Sequence, residues 1–179
     1  KQIKNRLHSS DDEMIQAIHQ DLIQTYQEKI DKTQTAIDAQ IKAQADDGHY
    51  KNLQTISGIG KDTAAILYAQ LTDKTFQTAN QFVSYAGLSP QTEQSGTSVN
   101  KKGRLSRYGH RRVKRSLYMP ALVAYRTGAF PQLVRNLTNA GKPKMVIIVA
   151  IMRKLAKLAY YIVKTGKPYD STRHKVAQA

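Results

Sequence analysis

The sequence contains no cysteine and no tryptophan, and aromatic residues make up only 7% of its 179 positions. Without cysteine the chain has neither disulfide bonds nor thiolate metal ligands, and nothing in its composition speaks for export. The longest uninterrupted apolar run, residues 145–152, is far shorter than the roughly 20 residues that cross a bilayer. We therefore expect a cytoplasmic protein that has no membrane as a partner.

Acidic residues are missing from most of the second half of the chain. Residues 94–169 contain 17 Lys or Arg and no Asp or Glu, whereas residues 1–93 contain 9 basic and 12 acidic side chains. A cationic block without carboxylates repels itself unless an anion binds to it, so the distribution favours nucleic acid as a partner. An anionic membrane surface is the alternative, but the basic residues alternate with Gly, Ser and Tyr and do not line one face of an amphipathic helix.

A narrow stripe of apolar residues between positions 12 and 45 predicts one long amphipathic helix. The other faces of this helix are polar, which is typical of a coiled-coil seam. We expect a homodimer or a higher homo-oligomer through this helix, and packing against its own domain is the alternative. The stripe consists of Ile15, Ile18, Leu22, Tyr26, Ile30, Ile37 and Ile41.

The sequence is predicted to consist of three segments. Residues 1–48 are predicted to be a coiled-coil or linker helix, residues 49–169 a compact helical domain, and residues 170–179 a flexible tail. Because the chain begins with Lys1 and not with Met, we expect it to be a piece of a longer protein or a chain whose start has been removed.

Two glycines separated by one isoleucine lie between two short apolar segments at residues 53–71. Leu53 and Ile56 are assigned to a first helix, Gly58-Ile59-Gly60 to a tight hairpin, and the residues from Ala64 onward to a second helix. Glycines let hairpin amides approach a ligand, and together with Lys61 and the positive end of the second helix they predict a small anion site. The pattern resembles a helix-hairpin-helix motif, whose family use is sequence-independent binding of the DNA backbone. A hairpin kept only for packing or for protein contacts is the alternative.

A polar loop at residues 91–103 contains Ser95-Gly96 and opens a segment with eight Lys or Arg before residue 116. Gly and Ser favour turns, and cations at this density hold a polyanion, so the loop can present a hydroxyl to a phosphate backbone. Ser98 is a second hydroxyl in the same loop, and only the Ser-Gly pairing selects Ser95. The candidate nucleic-acid-binding cations here are Lys101, Lys102, Arg104, Arg107, Arg111, Arg112 and Arg115.

Further helices are predicted at 76–90, from residue 107 onward, within 125–141 and at 143–165. We expect the first to end at Gly87, the second to be kinked at Pro120, and the last to stop at Gly166. No segment predicts a convincing strand. The fold class expected is therefore all-α, with a long coiled-coil helix followed by a compact helical domain that contains the helix-hairpin-helix.

Five short motifs occur in one order within residues 50–169, and this order resembles the C-terminal domain of the IS-one-ten-type, or DEDD, insertion-sequence transposases and of the related pilin-gene invertases. Each motif alone is weak, but five in sequence are specific. They are Leu53–Leu71, Tyr85–Pro90, Gln94–Gly96, Gly103–Gly109, and Ala140–Pro143 leading to Arg153–Leu155.

The resemblance implies a DNA recombinase in two parts: a RuvC-like domain with four acidic metal ligands, joined through a coiled coil to this serine-bearing domain. It also implies DNA and a guide (bridge) RNA as partners, association with the nucleoid, and a divalent metal such as Mg²⁺ on the RuvC-like domain. The serine that matches Ser95 is the family's nucleophile, which attacks a phosphodiester and is later displaced by the partner strand. This chain alone is then expected to be inert.

One position departs from the family pattern. The family often has Leu-Arg a few residues after the second glycine, where this chain has Val113-Lys114-Arg115. If a planar guanidinium is required there, Arg115 or Arg112 must supply it, because lysine lacks the same fork of donors.

Other functions are weaker alternatives. The histidines are scattered without ligand spacing, so no metal site is expected in this chain. A non-catalytic helix-hairpin-helix module that binds DNA or RNA remains the second hypothesis, with Ser95 only a loop residue. A protein-interaction element dominated by the long helix is the third.

Overall fold

The computed structural model describes residues 13–44, 47–91, 94–95, 99–100, 104–106 and 108–170. The chain divides into two compact units, residues 1–44 and residues 45–179. Within the ranges just given, no helix is both long and apolar enough to span a membrane. The predicted flexible tail lies outside the described residues, except for Asp170.

The first unit is described through α1, Glu13–Gln44. Its apolar stripe is exposed, with 51% of the surface of Ile18, 53% of Tyr26 and 59% of Ile30 accessible. The polar faces carry glutamine-to-carboxylate hydrogen bonds four residues apart, such as Gln24 to Glu28, which support an isolated helix. The long helix is therefore confirmed, and its association with a partner stays a prediction.

The second unit contains the remaining helices and confirms the all-α class. They are α2 Asp47–Gln54, α3 Lys61–Asp73, α4 Ala79–Tyr85, α5 Arg111–Ser116, α6 Tyr118–Arg126, α7 Pro131–Asn139 and α8 Lys144–Thr165. Helix α2 begins at Asp47, inside the segment 1–48 that was predicted to be a coiled-coil or linker helix.

Helix α8 lies at the centre of this unit and packs against α2, α3, α4, α6 and α7. Apolar residues cover most of its circumference, and Ile151, Leu155 and Ala159 are fully buried. Such a helix has to be surrounded by others, which explains why the shorter amphipathic helices are arranged around it. The predicted span of 143–165 agrees with the observed one.

Four strands of two residues each correct the expectation that the chain has no strand. These are β1 Pro90–Gln91, β2 Gln94–Ser95, β3 Val99–Asn100 and β4 Arg104–Leu105. β1 pairs with β4 and β2 with β3, both antiparallel. We call these four strands the Ser95 ribbon. Two-residue strands are too short to show apolar alternation, which is why the sequence predicted only a polar loop.

The helix expected from residue 107 begins later and is interrupted earlier than predicted. It starts at Arg111, because the Nδ1 atom of His110 accepts a hydrogen bond from the Val113 amide and caps the first turn. It ends at Ser116, and α6 begins two residues on. Pro120 has no N–H, and its ring excludes the carbonyl four residues earlier, so the regular helix breaks at Leu117 and not at the proline itself.

Candidate nucleic-acid interface

The turn between α2 and α3 places its two glycines in different surroundings. Gly58 has φ +89°, and a Cβ there would lie 2.5 Å from the carbonyl oxygen of Pro120. Gly60 is exposed, with no atom within 4 Å of where its Cβ would be. Gly58 therefore serves an internal contact with α6, while Gly60 and the exposed Lys61 face solvent.

The N-terminus of α3 has no side-chain cap. The first amides of a helix lack intrahelical acceptors and carry the positive end of the helix dipole. Lys61 and the carboxylate of Asp62 lie in the same first turn, so the unpaired amides are the main donors that this edge offers to an anion.

Thr63 joins this edge to α5. Its Oγ1 atom donates a hydrogen bond of 3.2 Å to the carbonyl oxygen of Ser116. In an uninterrupted helix that carbonyl would accept from the amide of residue 120, which is a proline. The helix break thus supplies an acceptor that fixes the start of α3 against the end of α5.

An open groove of about 570 Å³ lies where α3 and α5 meet, and we call it the α5 groove. Its lining residues include three exposed guanidinium side chains and no carboxylate. Lys114, on the same helix, is turned inward, and its Nζ donates to the Ser106 carbonyl at 2.9 Å. The groove is therefore cationic and open, as a phosphate backbone requires. Its lining consists of Ile66, Arg111, Arg112, Arg115 and Ser116.

The base of the Ser95 ribbon is held by a contact between Gly87 and Gly109. Both have positive φ, and a Cβ on Gly109 would lie 2.4 Å from the Gly87 Cα. The His110 amide donates to the Tyr85 carbonyl at 2.7 Å, and the two rings are stacked with centroids 5.2 Å apart. The predicted motifs at 85–90 and 103–109 are thus brought together, and they anchor both ends of the ribbon next to α5.

Ser95 lies on the pair of the ribbon farthest from this base. Its backbone is paired with that of Val99, and Gln94 with Asn100. The backbone of Arg104 is paired with Gln91, nearer the base. Four other residues that entered the prediction, Ser98, Lys101, Lys102 and Arg107, lie outside the described residues.

Residues 50–135 match the family model described as Transposase IS116/IS110/IS902 family. This segment is a domain of that family. The match covers α3 to α6, the Ser95 ribbon and most of α2 and α7, so it includes every part of the interface described above.

Curated relatives of the transposase domain agree with this membership. A pilin gene-inverting protein of Moraxella bovis is 38% identical over 126 residues, which are 69% of this chain and 39% of that protein. The transposase for insertion sequence element IS1328 of Yersinia enterocolitica is 30% identical over 137 residues, 70% of this chain and 39% of that protein. The uncharacterized 43.6 kDa protein of insertion element IS110 from Streptomyces coelicolor is 30% identical over 121 residues, 66% of this chain and 30% of that protein. The chain thus spans about two fifths or less of the length of these relatives.

The last sequence motif of the transposase domain also reaches the ribbon. Leu155 is buried in the core, whereas Arg153 lines an apolar groove of about 420 Å³ together with Pro90 and Leu105 of the ribbon base. The Arg153 Nε atom is buried and has no hydrogen-bond partner among the described residues. Four of the five motifs therefore contribute to the ribbon, to its base or to the packing beneath it, and the first, Leu53–Leu71, contributes to the α5 groove.

In the ranges that the structure describes, no three His, Cys, Asp or Glu side chains are close enough to hold a metal ion. His110 is a helix cap, as described above. Burial and the nearby charge of Asp170 raise the pKa of Tyr169, whose amide donates to the Thr55 hydroxyl.

Sequence reasoning missed three residues that shape this interface. Thr63 and Tyr108 entered the prediction only as positions within the motifs Leu53–Leu71 and Gly103–Gly109, and His110 only as one of the scattered histidines. A polar residue just before a basic helix is a general capping signal and was available for His110. The Thr63 bond depends on a helix break 53 residues away, so no local pattern indicates it.

Proposed function

We propose that this chain provides the serine nucleophile and part of the DNA-binding surface of a DNA transposase or recombinase. The observation that carries the proposal is the joint anchoring of the Ser95 ribbon and the α5 groove at the Gly87–Gly109 contact. A hydroxyl-bearing ribbon fixed beside an arginine-lined groove is what a group that attacks a bound phosphodiester requires. The names of the relatives, which include a transposase and a pilin gene-inverting protein, support the same reaction class.

The proposed reaction is a phosphoryl exchange without an external energy source. The Ser95 oxygen loses its proton and bonds to a DNA phosphorus, and one bridging P–O bond breaks. The released strand end takes up a proton as a hydroxyl, and the other end stays attached to Ser95 as a phosphodiester. A hydroxyl of the new partner strand later attacks that phosphorus and restores the free serine, so the number of phosphodiester bonds is conserved.

The chain's own cations have a defined part in this scheme. Negative charge develops on the non-bridging oxygens of the phosphorus, and guanidinium groups held close to them stabilise the transition state. Arg111, Arg112 and Arg115 bind the phosphates on either side of the reacting one and keep the strand along the groove. The exposed Lys61 and the first amides of α3 extend this contact by one more phosphate.

The proposed active site also needs a divalent metal and a general base, which come from outside this chain. The described residues contain no cluster that fits a metal ion. In the proposal both groups are supplied by acidic residues outside this chain, as the family resemblance implies. A guide RNA is proposed as a second occupant of the cationic surface, because its phosphates present the same charge as those of DNA.

A second candidate function is binding without catalysis. It is favoured by the uncapped start of α3 with Gly60 open to solvent, because that edge binds a phosphate whether or not Ser95 reacts. In this alternative the chain is a helix-hairpin-helix module for DNA or RNA, and the ribbon is only a surface loop.

One experiment separates the two functions. In the full-length protein with guide RNA and both DNA partners, Ser95→Ala is expected to abolish the covalent protein–DNA product on denaturing gels, while DNA retention in filter binding changes by less than about twofold. Ser98→Ala is the matched control and should leave the covalent product intact. If Ser95→Ala still recombines DNA, the binding function without catalysis is the one that remains. If Ser98→Ala alone abolishes the covalent product, Ser98 and not Ser95 is the nucleophile.

A further inference from the structure

Tyr108 is the most exposed of the large apolar side chains in the part of the chain that the structure describes, with 80% of its surface accessible. It lies between the Ser95 ribbon and α5, two residues before the N-cap His110. Exposing a whole aromatic ring to water is unfavourable, since burial of such a side chain contributes about 1.5–3 kcal/mol. An isolated exposed tyrosine is common, so the ring alone indicates nothing, and the inference depends on how its backbone is held.

The backbone of Tyr108 is fixed on both sides. Its amide donates to the Ser106 Oγ atom at 3.1 Å, and its carbonyl lies 3.2 Å from the same hydroxyl. Ser106 is itself buried. The carbonyl also lies against Gly87, where a Cβ would come within 2.4 Å of it. The ring is therefore presented from a rigid support, which lowers the entropic cost of stacking a ligand on it.

The neighbouring aromatic rings are already occupied by contacts inside the protein. Tyr85 stacks on His110 and has the Lys74 ammonium 4.9 Å above its ring, and its hydroxyl bonds Gln70. Among the described residues, no ring or cation packs against Tyr108 in this way. The face of the Tyr108 ring is thus open to solvent. Arg111 and Arg112 follow it three and four residues later in the chain.

We propose that Tyr108 stacks on an unpaired nucleobase of the bound DNA, next to the strand held in the α5 groove. The inference rests on the DNA binding proposed above and adds the kind of DNA that the surface prefers, one with a single-stranded or opened segment. A flat aromatic ring accepts any base face, and adjacent guanidinium groups hold the phosphates on either side. In a fully paired duplex the bases are stacked on each other, so Tyr108 contributes little to binding there.

The test compares two DNA substrates with the 179-residue chain. One is a single-stranded oligonucleotide that contains 2-aminopurine, and the other is a blunt duplex of the same sequence. Tyr108→Leu, which keeps the bulk and removes the π face, should weaken single-strand binding by roughly 5- to 100-fold. It should leave duplex affinity within about twofold and abolish the 2-aminopurine quenching. Tyr108→Phe should match the wild type on both substrates.

Matched controls keep the outcomes distinct. Tyr161 is 54% exposed on α8, and Tyr161→Leu should change neither affinity. Equal affinities of wild type and Tyr108→Leu for the single strand would overturn the inference and leave DNA binding intact. An equal weakening on both substrates would also overturn it, because it would indicate a protein–protein contact or a folding effect. Binding of neither substrate by the wild type would reject the proposed function, and with it this inference.

Discussion

The Thr63 hydroxyl donates to the Ser116 carbonyl, an acceptor released by the missing N–H of Pro120. The break between α5 and α6 thus leaves a carbonyl that binds Thr63 in the first turn of α3. The bond helps to hold together the two segments whose chemistry suggested phosphate binding, residues 58–61 and 111–115. In the same region the Pro120 carbonyl lies against Gly58.

Thr63→Val should destabilise the domain by about 1–2 kcal/mol, because it removes the hydroxyl, keeps the shape and leaves the Ser116 carbonyl without its partner. Thr72→Val is the matched control, since the Thr72 hydroxyl bonds only to carbonyls of its own helix. That control should change the free energy of unfolding by less than about 0.5 kcal/mol. Urea denaturation followed by circular dichroism measures both.

A double-mutant cycle with Pro120→Ala tests the stated cause. Alanine at 120 offers the amide that the Ser116 carbonyl lacks, so Thr63→Val should cost less in that background than in the wild type. Equal costs in both backgrounds would contradict the role assigned to the proline.

Gly87→Ala should destabilise the domain by about 3 kcal/mol or more, because the added Cβ would lie 2.4 Å from the Tyr108 carbonyl oxygen. Gly128→Ala is a matched control with nearly the same backbone, φ +66° against +70°, and with nothing within 4 Å of its Cβ position. The control should cost only about 1–2 kcal/mol, the strain of the left-handed conformation. Thermal unfolding measures both, and similar destabilisation of the two variants would mean that the close backbone approach does not matter.

Arg112→Ala and Arg115→Ala should each weaken binding to duplex DNA. The negative slope of log affinity against log salt should also become shallower, by about 0.9 for each phosphate that the variant no longer neutralises. Arg126→Ala and Arg135→Ala are the controls, because these side chains are exposed on α6 and α7 and do not line the α5 groove. Fluorescence anisotropy at several salt concentrations gives both quantities. If all four variants behave alike, net charge and not the groove determines binding.

The sequence predicts well those parts of the fold that depend on local periodicity. The exposed stripe of α1 and the nearly continuous apolar surface of α8 each persist over many turns, so their spans agreed with the structure to within about two residues. The Ser95 ribbon was missed because its strands are two residues long and its base lies at the Gly87–Gly109 contact, which no local pattern indicates. Of the candidate site, the sequence indicated the serine and the arginines. It did not indicate the bond from Thr63 or the rigid support of Tyr108, which depend on segments distant in the chain.

The exposed stripe on α1 leads to the last prediction, that the chain associates through this helix. Leu22 and Ile30 lie on the stripe with 37% and 59% of their surfaces accessible. Leu22→Glu should shift the chain from dimer or higher oligomer to monomer in sedimentation velocity at micromolar concentration, because a buried unpaired carboxylate is costly in a coiled-coil seam. Gln20→Glu adds the same charge to an exposed polar position and should leave the mass unchanged. A wild-type chain that is already monomeric under these conditions would exclude this interface. The apolar stripe of α1 would then have to pack against another part of the protein.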